Sequence, residues 1–145
     1  MNEYDFVSIL LVEDSLDDIN LVKVAFEECK FLNKMYVARD GVEAIDFLYK
    51  RGPHVHAIRP DIILLDLNLP KKSGQEVLEI IKKDEDLKDI PVIILTTSQA
   101  EEDILKSYKL HANCYITKPV DFSRFIEIIK QLENFWFSIV TLPKR

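Results

Sequence analysis

Only three glycines occur in 145 residues, so no Gly-rich phosphate loop can be assembled from them. A flavin or nucleotide binder on an α/β sheet needs backbone and hydroxyl donors after its first strand. Here that position holds Glu13 and Asp14, which carry the opposite charge. Cysteine is also scarce: Cys29 and Cys114 lie far apart, without metal-ligand spacing. They form no disulfide framework and are expected as free thiols in a reducing, cytoplasmic setting. No apolar stretch approaches the roughly 18 residues of a membrane span. The opening Met-Asn-Glu-Tyr-Asp lacks the basic-then-apolar order of a signal peptide. Positive charge is in deficit, with 19 Lys and Arg against 25 Asp and Glu and a formal net charge of -6. Nonspecific nucleic-acid binding needs basic surface and is disfavoured.

What is present is ordinary for a globular chain, with 48% hydrophobic and 30% charged residues. The length fits one domain, expected over residues 1–145 with a core at about 5–132 and a C-terminal extension at 133–145. Short dense apolar runs alternate with longer stretches of helical period, the pattern of repeated βα units around a parallel sheet. Strands are expected at 7–12, 34–38, 61–65, 92–95 and 114–117, and helices at 16–30, 42–51, 74–83, 100–110 and 122–137. Ser15 is a candidate N-cap for the first helix. The loop at 52–60, flanked by Pro53 and Pro60, is expected on the face away from the functional rim. Right-handed crossovers and two covered faces leave few topologies, of which the flavodoxin-like, doubly wound (βα)5 order 2-1-3-4-5 is the expected one.

That order places strands one and three side by side, and both deliver acids to their C-terminal ends. Asp66 follows Ile62-Ile63-Leu64-Leu65, and Glu13-Asp14 follow Val12. Open α/β sheets keep their chemistry at this rim. Three converging carboxyl groups repel one another unless a cation is recruited, and an all-oxygen ligand set suits Mg²⁺. Asp66 is the candidate nucleophile, attacking phosphorus to form an acyl phosphate. Asp14 and Asp66 are candidate direct metal ligands, Glu13 a ligand through water, and Asn68 a ligand through its backbone carbonyl. Lys118, before Pro119 and after the fifth apolar run, can pair with Asp66 and then with phosphoryl oxygens. Thr96, Thr97 and Ser98 each offer a hydroxyl at the end of the fourth strand. Asp17 and Asp18 read as ordinary acids in a helix's first turn. A small phosphohydrolase is disfavoured because Asn68 cannot supply a general acid two residues after the nucleophile.

Taken together, Glu13-Asp14, Asp66 in Asp-Leu-Asn-Leu-Pro, Thr96, Tyr115 and Lys118-Pro119 resemble the receiver domain of bacterial two-component response regulators. The resemblance implies a phosphoacceptor signalling domain rather than an enzyme, phosphorylated on Asp66 by a sensor histidine kinase. It also implies Thr96 as the switch hydroxyl, Tyr115 as the aromatic that turns inward with it, and a cis bond between Lys118 and Pro119. Asn68 and Ser98 match positions that tune autodephosphorylation. Two departures are Leu110-His111-Ala112-Asn113 before the last strand, where many receivers have a Gly-Ala pair, and Thr97, where many have Ala or Ser. The segments 67–72, 109–119 and 135–143 are similar to receivers that serve bacterial phytochrome kinases, which makes a phytochrome-type kinase the implied partner.

The C-terminus adds one expectation. Phe135, Trp136, Phe137 and Ile139 continue an apolar pattern beyond what one helix end needs for a core. Aromatic anchors of this kind favour a homodimer contact. His54, His56 and His111 are expected on the surface, since none has metal-ligand spacing.

Overall fold

Runs such as Ser8-Ile9-Leu10-Leu11-Val12 can lose both faces to solvent only inside a sheet covered on each side. In the computed structural model, five strands form one parallel sheet in the order β2-β1-β3-β4-β5, the order expected from the sequence. The structure describes residues 6–28, 33–96 and 114–117, with the helical positions Ser123, Glu127, Lys130 and Gln131. The strands are β1 (Val7–Val12), β2 (Asn33–Ala38), β3 (Ile62–Asp66), β4 (Val92–Thr96) and β5 (Cys114–Thr117). Helices α1 (Leu16–Glu27), α2 (Gly41–Leu48) and α3 (Gly74–Lys83) alternate with them. The helix expected at 100–110 lies outside the described residues, as does most of the one at 122–137.

Side-chain alternation splits the core in two. Ile9, Leu11, Ile62, Leu64, Ile93 and Leu95 face α1 and pack with its Ile19, Val22, Ala25 and Phe26. Leu10, Val12, Ile63, Leu65, Val92 and Ile94 face α2 and α3, meeting Ala44, Phe47, Val77, Leu78 and Ile81. Each fully buried Leu or Ile contributes about 1.5–3 kcal/mol, and the sheet centre is built almost wholly of them. Leu87 and Ile90, in the bend after α3, join the second layer.

Helix starts follow their caps. The Ser15 side chain accepts from the Asp18 N–H and opens α1, while Asp40 accepts from the Glu43 N–H and opens α2. Ser73 and Glu76 form a reciprocal capping box at α3. The loop after α2 departs from expectation by folding back along its own helix. The His54 ring packs edge-on against Phe47 at 5.5 Å, and its Nε2 lies 3.4 Å from the Glu43 carboxylate in the first turn of α2. His54 is therefore half-buried rather than a plain surface residue. The loop's far end does lie away from the C-terminal rim, since Asp61 N–H donates to the Ser8 carbonyl near the start of β1.

Candidate functional site

The acids meet where β1 and β3 run out. Register pairs Val12 with Leu65 and Asp66 with Leu95, so the chain following β1 and the last residue of β3 share one end of the sheet. Glu13, Asp14 and Asp66 each present a carboxylate oxygen, and these oxygens lie within 4.8 Å of one another. Glu13 and Asp66 are buried and Asp14 is exposed. One side of the cluster is thus sealed by the fold and the other faces solvent.

Local hydrogen bonds fix each acid differently. Asp66 Oδ1 accepts from the Asn68 N–H at 3.1 Å, a turn closed by the side chain that ends the strand and orients the carboxylate. Glu13 Oε2 accepts from the Ser15 N–H at 3.1 Å, and the Glu13 N–H donates to the Ala38 carbonyl at 3.0 Å. The Asp14 carbonyl accepts from Arg39 Nη2 at 2.9 Å.

The loop after Asp66 is shaped by close backbone approach. A Cβ on Gly74 would stand 2.3 Å from the Asp66 carbonyl oxygen and 2.5 Å from Leu67 Cα, so only glycine lets α3 begin so near the candidate acceptor. Lys72 N–H donates back to the Pro70 carbonyl at 2.8 Å around Lys71, whose φ of 67° makes a γ-turn of the strained kind. The far side of this loop rests on α2, where a Cβ on Gly41 would collide with the Lys72 carbonyl at 1.9 Å. Lys71 Nζ lies 3.4 Å from Asp40 Oδ2. The Asp40 carboxyl is held below its ordinary range, chiefly by the Glu43 backbone N–H and further by Lys71.

The other candidates are located by backbone alone or not at all. Thr96 is the last residue of β4 and is paired in register with Thr117, while Tyr115 is paired with Ile94. Their strands therefore end on the same rim as Asp66. Lys118 would follow β5 directly, but it lies outside the described residues, as do Thr97, Ser98, Pro119, His111, Phe135, Trp136, Phe137 and Ile139. Arg39, Gly41 and Gly74 were not singled out from sequence. The two glycines carried a readable signal, each following a capping residue in a chain with only three. Arg39 carried none, because nothing in a linear pattern reports the reach of a guanidinium across two strands.

A parallel five-stranded sheet with three carboxylates gathered at the ends of β1 and β3 defines a class, and the match to its family model is direct. Residues 9–130 match the response regulator receiver domain, and the chain belongs to that family of phosphoacceptor signalling domains. Among individual relatives, response regulator Rcp1 of Synechocystis sp. is 47% identical over 135 residues, covering 93% of this chain and 92% of the relative. The solved Mn²⁺-bound form of Rcp1 superposes with a TM-score of 0.80 at 46% identity, covering 94% of this chain and 99% of that one. The phosphorylated cyanobacterial phytochrome response regulator RcpA superposes with a TM-score of 0.81 at 49% identity, covering 95% of this chain and 99% of that one. Among the described residues, no helix is long and apolar enough to cross a membrane.

Proposed function

We propose that this chain takes a phosphoryl group from the phosphohistidine of a sensor kinase onto Asp66, within a Mg²⁺-dependent phosphorelay. The observation that carries this reading is the gathering of Glu13, Asp14 and Asp66 carboxylate oxygens within 4.8 Å at the ends of β1 and β3. A carboxylate oxygen of Asp66 forms the new O–P bond while the P–N bond of the donor breaks. The imidazole leaves with the electron pair and takes up a proton. The Asn68 N–H holds Oδ1 in place, so the nucleophile is oriented before the donor arrives.

The donor set fits a hard divalent cation. Asp14 and Asp66 would hold Mg²⁺ directly, Glu13 through water and Asn68 through its backbone carbonyl. When bound, the ion supplies the positive charge that lets an anionic phosphoryl group approach three acids. Lys118 is assigned to the phosphoryl oxygens. Thr96 is the switch hydroxyl that donates to the phosphorylated state, and Tyr115 the aromatic that turns inward behind it. Such a switch works only through a partner with different affinity for the two states.

Likeness to RcpA, a phytochrome response regulator, and to Rcp1 supports a phytochrome-type histidine kinase as the partner. We read residues 1–145 as one receiver domain acting in the cytoplasm, with Phe135, Trp136, Phe137 and Ile139 as the contact of a homodimer that binds neither nucleic acid nor membrane. Multi-angle light scattering of the whole chain should give twice the mass of 16.9 kDa, and a monomer with and without phosphorylation would reject the dimer. For the acceptor, the chain is incubated with acetyl phosphate with and without Mg²⁺. Label is expected only with the ion and is expected to vanish in Asp66→Asn; undiminished label in that variant would reject Asp66.

A further inference from the structure

The edge strand β2 ends beside the acids without contributing one, yet its last residue, Ala38, and the next, Arg39, fasten their main chain. The Ala38 carbonyl takes the Glu13 N–H at 3.0 Å, and Arg39 Nη2 donates to the Asp14 carbonyl at 2.9 Å. Asp14 stands exposed in the three-residue link between β1 and α1; its neighbours are fixed by the Glu13 N–H on the Ala38 carbonyl and by the Ser15 cap of α1, and the Arg39 guanidinium holds the Asp14 carbonyl itself. Arg39 is itself anchored. Its N–H donates to Glu43 Oε1 at 2.8 Å, and Glu43 is set by the Asp40 cap that accepts its N–H at 2.7 Å. A hydrogen-bonded path therefore runs from the first turn of α2 through Glu43 and Arg39 to Asp14.

We propose that Arg39 is a positioning residue for the divalent cation, holding the Asp14 main chain so that its carboxylate meets that of Asp66; this rests on the acceptor site proposed above. Two effects of the guanidinium oppose each other. Its charge repels an incoming cation, whereas its hydrogen bond keeps a ligand in place. Arg39 is exposed, so its field is screened by water and salt. The hydrogen bond is short-ranged and retains its geometric effect, which makes the tether the dominant contribution. The sign of the response to neutralisation separates the two.

Mn²⁺ is titrated into the full chain and the free ion is followed by electron paramagnetic resonance, with thermal melting of each variant as a fold control. Arg39→Met is expected to weaken binding by about three- to tenfold, the scale of the net contribution of one ordinary hydrogen bond. Arg39→Lys, which can still donate to the Asp14 carbonyl, is expected to recover most of that loss. Binding by Arg39→Met that is unchanged or tighter would overturn the tether, as would an Arg39→Lys chain as weak as Arg39→Met at an equal melting temperature. A wild-type chain that binds no Mn²⁺ would overturn the acceptor site itself, and this role with it.

Discussion

Glycine at position 74 matters for what it lets its neighbours do. The helix α3 begins against the Asp66 and Leu67 backbone, and a methyl group there would have to push the candidate acceptor aside. Gly74→Ala is expected to cost about 1–3 kcal/mol of stability through overpacking and to slow phosphorylation by acetyl phosphate. Gly52 is the control: at φ 56° with open space around it, its alanine variant pays only backbone strain. Chemical denaturation of both, with initial labelling rates, separates the cases; a normal rate in Gly74→Ala would contradict the coupling. At this scale the meeting of the acids at one rim was legible because Glu13-Asp14 and Asp66 each end an apolar run. Arg39 was not, since its role depends on the β2-β1 register rather than on its sequence neighbours.

Elements were read well where capping and period agreed. Helix α3 matches the expected 74–83 from end to end, and the structure adds the Ser73–Glu76 capping box that fixes its start. Helix α2 instead stops at Leu48, short of the expected 51, because Lys50 and Gly52 adopt φ values of 57° and 56° and turn the chain back. Strand β3 runs one residue later than expected, since the pairing of Asp66 with Leu95 carries the ladder through the acid. The bend after α3 held a missed contact: Tyr49 Oη donates to Asp84 Oδ2 at 2.5 Å, joining the ends of α2 and α3. This bond lowers the Asp84 carboxyl below its ordinary 3.8 and raises the Tyr49 phenol above 10.0. Both shifts favour the folded state between those values. The contribution is lost as pH falls through the depressed Asp84 value, and again as pH rises from 10 towards the raised Tyr49 value. In Tyr49→Phe, NMR titration should show Asp84 moving up towards its ordinary range, with a lower melting temperature at neutral pH. An Asp84 titration identical to wild type would remove the bond's role.

Three carboxylates gathered within 4.8 Å are expected to repel one another, and a bound cation should stabilise the whole molecule. Folding linkage predicts stabilisation of about 2.7 kcal/mol when Mg²⁺ or Mn²⁺ is a hundredfold above its dissociation constant. Asp14→Asn should lose most of this gain while melting no lower than wild type without metal, because one of three repelling acids has been neutralised; equal metal-induced shifts in both chains would contradict the assigned ligand. Sheet order and the sharing of one rim by β1 and β3 followed from hydrophobic runs, crossover handedness and the prevalence of this order among chains of this size, whereas the back-folded loop at 52–60 depends on the positive φ of Lys50 and Gly52 and on His54 contacts that no periodicity reports. The most direct measurement is chemical trapping of the phosphorylated chain. Borohydride reduces an aspartyl phosphate to homoserine, and mass spectrometry then locates the change. Conversion at Asp66 in Mg²⁺ is the predicted result, and conversion at Glu13, Asp14 or any other acid with Asp66 intact would contradict it.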